Sequence, residues 1–265
     1  MRLAFVGDWH ASSAAAVAAV KTAVDMELDV LVHVGDFFYT GEIGNRFLNT
    51  LNKVLKRYGK GSLKVVFVRG NHDDTNALAR FTAKAQEQDL FTSEGFVPVR
   101  EQVFYAPNGL RWNWEGVSFA ALGGAASVDK KFRVENKSWW ADECVADSDV
   151  DAVIEGGRVD VLVMHDIPQQ VYVPDDSGLK FDLRESLMNQ ALLGRAVGAV
   201  RPQWMFSGHF HRFQTQRVNY FDGTEGTSVI LDRGDYVGEE DSPKVLGASM
   251  YFMEIQDKEI HPVRF

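Results

Sequence analysis

The chain has 265 residues, 45% hydrophobic and 25% charged, with 37 acidic against 28 basic side chains and a formal net charge of −9. Those values suit a folded chain with a substantial core and exclude a disordered or fibrous one. The acidic excess counts against a long nucleic-acid backbone as partner, because that needs a basic face, and the single cysteine, Cys144, excludes an intrachain disulfide and fits a reducing compartment.

In chain order, the first third alternates regularly. Apolar runs predict strands over 2–7, 30–35 and 64–69, followed by helices over about 12–27, 43–58 and 75–88. After Phe91 the texture changes. Short runs at 96–99, 102–105, 110–114 and 117–122, separated by Pro107-Asn108-Gly109 and Glu115-Gly116, predict antiparallel strands and hairpins. A polar stretch over 125–150 carries the pair Trp139-Trp140, and 151–157 reads as a weak helix. A strand at 160–164, a loop at 173–184, a helix at 184–199 and a strand-rich remainder from 203 complete the chain. No repeat or linker divides it, so one domain over 1–265 is expected, with 91–157 as a hairpin and loop insert lining the site. No apolar run approaches the ~20 residues that span a bilayer. A strand starting at residue 2 leaves no room for a secretory signal, so a cytoplasmic protein is expected.

Polar residues collect where the apolar runs end. The blocks are Gly7-Asp8-Trp9-His10, Gly35-Asp36, Gly70-Asn71-His72-Asp73, His165-Asp166 and Gly208-His209-Phe210-His211, which hold five of the seven histidines. Open α/β sheets place their ligands at the carboxyl ends of strands, and right-handed crossovers would bring the first three blocks to one rim. Residues two apart in an extended chain point to the same side. On that basis Asp8 and His10, and likewise His209 and His211, are expected to address one metal cluster, with Trp9 and Phe210 turned into packing. Carboxylate, imidazole and amide donors suit borderline ions such as Mn²⁺, Fe²⁺ or Zn²⁺ better than Ca²⁺ or Mg²⁺. Two such ions ~3.5–4 Å apart can hold a bridging hydroxide and neutralise a phosphoryl group during in-line attack.

The ordered set Asp-x-His, Gly-Asp, Gly-Asn-His-Asp, His, Gly-His-x-His resembles that of the calcineurin-like metallophosphoesterase superfamily, with every block present between residues 7 and 211. The resemblance implies an α/β fold, a two-sheet β-sandwich flanked by helices. It implies two divalent ions, Mn²⁺ foremost with Fe or Zn as alternatives. One would take Asp8, His10 and His211, the other Asn71, His165 and His209, and Asp36 would bridge them. His72 would stay off the metals, near the leaving-group oxygen, as a general acid or transition-state donor. Asp73 either orients His72 or caps the helix that follows. Arg69 either reaches a substrate phosphate or pairs with a nearby acid. His33, within an apolar strand, reads as a core residue.

Serine/threonine phosphatases of the superfamily carry Gly-Asp-x-Val-Asp-Arg-Gly in the second block. Here Tyr39 and Thr40 stand where the assisting Asp and Arg would be. Basic residues are sparse around the blocks, with Arg69, Arg133 and Arg212 nearest in sequence. These departures favour hydrolysis of phosphodiesters in small substrates, cyclic nucleotides among them; a small-molecule phosphomonoesterase and a nuclease acting on nucleic-acid ends are the alternatives. The expected partner is a small phosphate ester, nucleotides included, with neither a membrane nor a stable nucleic-acid complex. Phe37, Phe38, Tyr39, Trp9, Trp139, Trp140 and Phe210 are either a surface for stacking a nucleobase or core packing. The segment Gly123–Arg133 with Ser138-Trp139-Trp140 looks like a stretch of bacterial and phage members and is expected to line the site.

Overall fold

Strand β1 (Arg2–Val6) sets the plan of the molecule, because its side chains alternate between two cores. Leu3 and Phe5 enter one apolar cluster, Ala4 and Val6 another. A computed structural model describes residues 1–37, 41–59, 61–174, 183–234 and 247–263. Among these, strands and helices run β1, α1 (Ser13–Asp25), β2 (Val30–His33), α2 (Gly41–Tyr58), β3 (Lys64–Phe67), α3 (Thr75–Gln88), β4 (Val97–Arg100), β5 (Val103–Tyr105), β6 (Arg111–Trp114) and β7 (Val117–Leu122). They continue with α4 (Asp147–Glu155), β8 (Val161–Met164), α5 (Arg184–Val200), β9 (Trp204–Ser207), β10 (Gln214–Asn219), β11 (Glu225–Ile230), β12 (Met250–Gln256) and β13 (Glu259–Pro262).

The strands form two mixed sheets, ordered β13-β12-β1-β2-β3-β5-β4 and β10-β11-β9-β8-β7-β6. β1, β2, β3 and β5 are parallel neighbours in the first; β7, β8, β9 and β11 are parallel neighbours in the second. Between the sheets lies a core that includes Phe5, Val32, Val66, Phe119, Val163 and Phe206. Phe5 and Phe206 stack across it with ring centroids 3.5 Å apart. Burying a side chain of this size stabilises the fold by about 1.5–3 kcal/mol. The outer face of the first sheet is covered by α1, α2 and α3, that of the second by α4 and α5. The result is an α/β fold of two mixed sheets flanked by helices, as the motifs implied.

Local chemistry explains the helix ends. Ser12 accepts from the Ala15 N–H at the start of α1, and Asp74 from Ala77 at the start of α3. α1 packs through small residues (Ala15, Ala16, Ala19, Val20, Ala23), which lets it lie close on the sheet. α4 begins at Asp147, earlier than the helix expected over 151–157. Asp147 and Asp149 favour its first turn through the helix dipole, and Asp149 accepts from the Ala146 N–H.

The expected 91–157 insert is not separate from the sheets. Its hairpins are integral, β4-β5 closing one edge of the first sheet and β6-β7 extending the second. Only the stretch after β7 turns toward the strand-end blocks. Among the described residues no helix is long and apolar enough to cross a membrane. Phe38, Tyr39, Thr40 and most of the 173–184 loop lie outside the described residues.

Candidate metal centre

The loops that follow β1, β2, β3, β8 and β9 meet in one place. Three groups of donor atoms, each within 4.8 Å of one another, gather there: Asp8, His10 and His211; His10, Asp36 and His72; Asp36, His165 and His209. Asp8, Asp36, Asn71 and His165 form a buried floor, while His10, His72 and His209 are half-buried and His211 is exposed at the mouth.

The blocks do not reach the site as extended strand. His10, Asp36, His209 and His211 all have φ between 44° and 65°, in the left-handed region. That overturns the expected alternation for Asp8-x-His10 and His209-x-His211, since the chain leaves the strand before each pair and curls. Non-glycine residues held in this region cost of order 1–3 kcal/mol each, and they concentrate at functional sites. Two block glycines are required by close approach: a Cβ on Gly70 would collide with the Asp36 carboxylate, and one on Gly208 with that of Asp8.

On one side of the site, Asp8 Oδ2 lies 3.3 Å from His211 Nε2 and 3.9 Å from His10 Nε2, and the two imidazole nitrogens are 3.0 Å apart. Asp8 also accepts from the His209 main-chain N–H at 3.1 Å. On the other side, His165 Nε2 is 3.1 Å from Asn71 Oδ1 and 3.3 Å from Asp36 Oδ1. Asp36 Oδ2 is 3.9 Å from His10 Nδ1 and from His72 Nε2, so this carboxylate faces both sides.

The donors are oriented from behind. His165 Nδ1 lies 2.9 Å from the Val34 carbonyl oxygen, which can only accept, so that nitrogen carries the proton and donates. Nε2 then faces the site. The Asn71 amide is fixed similarly: its Nδ2 donates to Ser127 Oγ at 2.9 Å, which directs Oδ1 inward. Ser127 in turn donates its hydroxyl and its main-chain N–H, each at 2.6 Å, to the two oxygens of Glu143. Such supporting contacts commonly govern metal affinity by 10–100-fold. Ser127→Ala should therefore weaken metal binding about 10–100-fold, measured by titrating metal into the stripped protein, and should also lower stability by about 1–3 kcal/mol because Asn71 Nδ2 and a Glu143 oxygen lose their buried partner. Unchanged affinity would show that Asn71 needs no such brace.

Charge is arranged to match. Burial acts against ionisation of Asp36, but His165, His72 and His10 outweigh it and hold the carboxyl well below the usual range. Burial also pulls His165 down, yet the charge and hydrogen bond of Asp36, with Asp8 and the Val34 carbonyl, push it up to about 10. Burial, assisted by His165, lowers His209 to about 3, which keeps it a neutral imidazole. A concave site with two buried carboxylates, an inward amide oxygen and four imidazoles fits divalent cations better than any single cationic side chain.

Two expectations change. Arg69 does not face the site: it is buried, donating to the carbonyls of Glu143 at 2.8 Å and Cys144 at 2.7 Å. Its partners are carbonyl groups rather than an acid, and it fastens the 143–144 segment to the end of β3. An arginine that reaches the site is Arg133, whose terminal nitrogens lie 3.0 and 2.9 Å from the two ring nitrogens of His72. Arg133 Nε is held by Asp129 at 2.8 Å. Asp73 accepts from the main-chain N–H groups of Gly70 at 2.6 Å and Phe37 at 3.3 Å, so it joins the third block to the second, while the helix cap falls to Asp74. Trp9, Phe37 and Trp140 are buried and offer no face to a base. His33 is buried between Trp9 and Phe37, as a core residue. Arg133 is one of the three basic residues named from sequence, and Ser127 lies in the segment expected to line the site; the sequence assigns no role to Ser127 or Glu143, because a lone Ser or Glu in a polar loop carries no spacing signal.

A model of the calcineurin-like phosphoesterase family matches residues 1–213. No curated protein matches the chain by sequence. Among solved structures, TT1561 of Thermus thermophilus superposes with a TM-score of 0.54 at 12% identity, covering 99% of this chain and 98% of that one. A dimetal phosphatase from Danio rerio gives 0.54 at 12% identity, covering 97% and 93%. At such identities these structures bear on the fold alone, and it is the family match over most of the chain, with the ordered blocks, that identifies it: the chain belongs to the calcineurin-like phosphoesterase family.

Proposed function

We propose that this protein is a dinuclear metal-dependent phosphoesterase that hydrolyses phosphodiester bonds in small substrates, cyclic nucleotides among them. The observation that carries this reading is the convergence of Asp8, His10, Asp36, Asn71, His165, His209 and His211 from five loops. Two of them, Asn71 and His165, have their donor atoms aimed inward by partners behind them. In this reading Asp8, His10 and His211 hold one ion, Asn71, His165 and His209 hold the other, and Asp36 is shared. The mixed donor set favours Mn²⁺, with Fe²⁺ or Zn²⁺ as alternatives. When bound, such a pair supplies positive charge at the phosphoryl oxygens and an activated water for in-line attack.

The chain's own groups do the rest. His72 stands at the mouth with its main-chain N–H on Asp36 Oδ1 at 2.9 Å, so its ring position is tied to the shared carboxylate. From there it donates a hydrogen bond, or a proton, to the departing oxygen. Arg133, in place of Arg69, grips a non-bridging phosphoryl oxygen, and Asp129 keeps its guanidinium aimed.

Among the described residues Arg133 is the arginine in contact with His72, and a diester monoanion needs fewer cationic contacts than a monoester dianion. The expected result is a higher kcat/KM for phosphodiesters than for phosphomonoesters of matched leaving group, measured with Mn²⁺ over 2′,3′-cyclic, 3′,5′-cyclic and aryl substrates. A clear monoester preference would replace this reading with a phosphomonoesterase, which the likeness to a structure described as a dimetal phosphatase keeps in view. A steep fall of activity with salt would instead point to a nuclease.

A further inference from the structure

Behind Asn71 lies a buried chain of polar groups that ends on a carboxylate. Asn71 Nδ2 donates to Ser127 Oγ at 2.9 Å, and Ser127 gives its hydroxyl and its main-chain N–H, each at 2.6 Å, to the two oxygens of Glu143. All three residues are buried. The segment that carries Glu143 is mounted from three sides. Thr75 donates its hydroxyl to Asp142 at 2.6 Å, Arg69 donates to the carbonyls of Glu143 and Cys144, and the Val145 main-chain N–H donates to Asn189 Oδ1 at 2.9 Å. These contacts come from α3, the end of β3 and α5, so the carboxylate is held in one place.

The polarity of the chain follows from what each group can do. Ser127 has one hydroxyl proton, whereas an ionised carboxylate can only accept. With that proton on Glu143, the hydroxyl has only lone pairs left for Asn71, and the amide group that can donate to them is Nδ2. Oδ1, on the other branch, then turns to the site, 3.1 Å from His165 Nε2. A hydroxyl that donated to Asn71 instead would turn Nδ2 inward, and an amide N–H group is no metal ligand. Burial opposes the charge of Glu143 and raises its pKa, while the hydrogen bonds from Ser127 favour the ionised form.

We propose that Glu143 is a positioning residue of the metal centre: as an acceptor-only carboxylate it fixes the direction of the Ser127 hydroxyl, and through it the orientation of the Asn71 amide. This assignment rests on the dinuclear reading and deepens it, since Glu143 decides which Asn71 atom meets the ion without touching ion or substrate itself.

Glu143→Gln keeps the shape but carries one acceptor and one donor. The Ser127 main-chain N–H takes the acceptor, so the new NH₂ faces the hydroxyl, which is released to donate to Asn71 and reverse the amide. Mn²⁺ is titrated calorimetrically into the stripped full chain at pH 8. Two ions are expected in the wild type, and one of them should bind about tenfold or more weakly in Glu143→Gln. In Ser127→Ala, which lacks the hydroxyl, adding Glu143→Gln should change affinity by less than about twofold. In Asn71→Asp, whose side chain only accepts, adding Glu143→Gln should tighten binding, because the hydroxyl proton then has one claimant in place of two. A metal-free readout separates the relay from the dinuclear reading. By NMR of the stripped chain, the Asn71 side-chain amide protons, held on Ser127, should exchange with water about tenfold faster in Glu143→Gln than in the wild type. Equal Mn²⁺ affinity, equal exchange, or the same loss in all three backgrounds would overturn the relay. Faster exchange in a protein that binds no divalent ions would leave the relay standing and remove the dinuclear reading.

Discussion

Asp36→Ala is expected to lower kcat/KM by roughly 10⁴-fold or more, at least about 5.4 kcal/mol at 1.36 kcal/mol per decade, and to reduce bound metal from two ions per chain to one or none. Asp36 is buried, belongs to two of the three donor groups, and lies within 3.9 Å of ring nitrogens of His10, His72 and His165. Removing it withdraws a donor from both sides and takes away the carboxylate that faces His165. The loss has a second signature in protons. Burial by itself would pull His165 down, but Asp36 and Asp8 hold it up at about 10 when no cation is bound. A cation entering the wild-type site must therefore displace a proton from His165. Metal affinity should rise with pH up to that value, with proton release detectable in buffers of different ionisation enthalpy. In Asp36→Ala the largest upward influence is gone, His165 falls toward neutrality, and proton release at pH 8 should shrink. Asp36→Asn keeps an acceptor for the His72 N–H and removes only the charge, so it should lose metal with the local fold intact. Two tightly bound ions and near-normal rates in both variants would sink the dinuclear assignment.

His72→Ala should leave metal content near two ions per chain and reduce rate by about 10²–10⁴-fold, the range for loss of a positioned proton donor. The geometry makes this a sharp test, because a ring nitrogen of His72 lies close enough to His10 and Asp36 to serve as a ligand. One observation sets His72 apart from the proposed ligands. Its ring is flanked by the Arg133 guanidinium, and a cation there disfavours a metal ion at the same nitrogen. Burial, with Arg133 adding to it against the pull of Asp36, lowers the imidazole's affinity for protons. A neutral ring can donate only the proton of its one N–H, so the rate loss should be large for a poor leaving group such as a ribose hydroxyl. For nitrophenolate, which departs without protonation, it should be small. Equal losses for both leaving groups would make His72 an electrostatic contact, and loss of metal would make it a ligand.

The strained loops and the buried relays belong to one design. Four donors sit in left-handed backbone immediately after strands whose side chains fill the cores. The sheets are rigid enough to impose those turns, and the turns point short side chains into a single pit. Main-chain bonds such as His10 N–H to the Asp36 carbonyl at 2.9 Å and Gly208 N–H to the His165 carbonyl at 3.0 Å tie one loop to the next. The cost of strain in each loop is offset by the packing of the strand that precedes it.

The donor residues, their order and their place at strand ends were legible in the sequence. Each block follows a short apolar run, valine-rich in three of the five (30–34, 65–68 and 161–164), and such runs read as buried strands. The two-sheet architecture followed from the resemblance those blocks carry, with the alternating first third and strand-rich last quarter in agreement. What sequence could not decide was which groups stand against the donors and His72. Ser127 is 56 residues from Asn71, the Val34 carbonyl 131 residues from His165, and Arg133 61 residues from His72. The sequence left Arg69 between a substrate phosphate and a nearby acid, and Asp73 between orienting His72 and capping the helix that follows. In the tertiary structure Arg69 donates to the carbonyls of Glu143 and Cys144, and the Asp73 carboxylate accepts from the main-chain N–H groups of Gly70 and Phe37. Tertiary structure also divided the hairpins after Phe91 between the two sheets. Local periodicity reports which face of an element is buried; which distant loop arrives beside a given atom is settled only when the sheets pack.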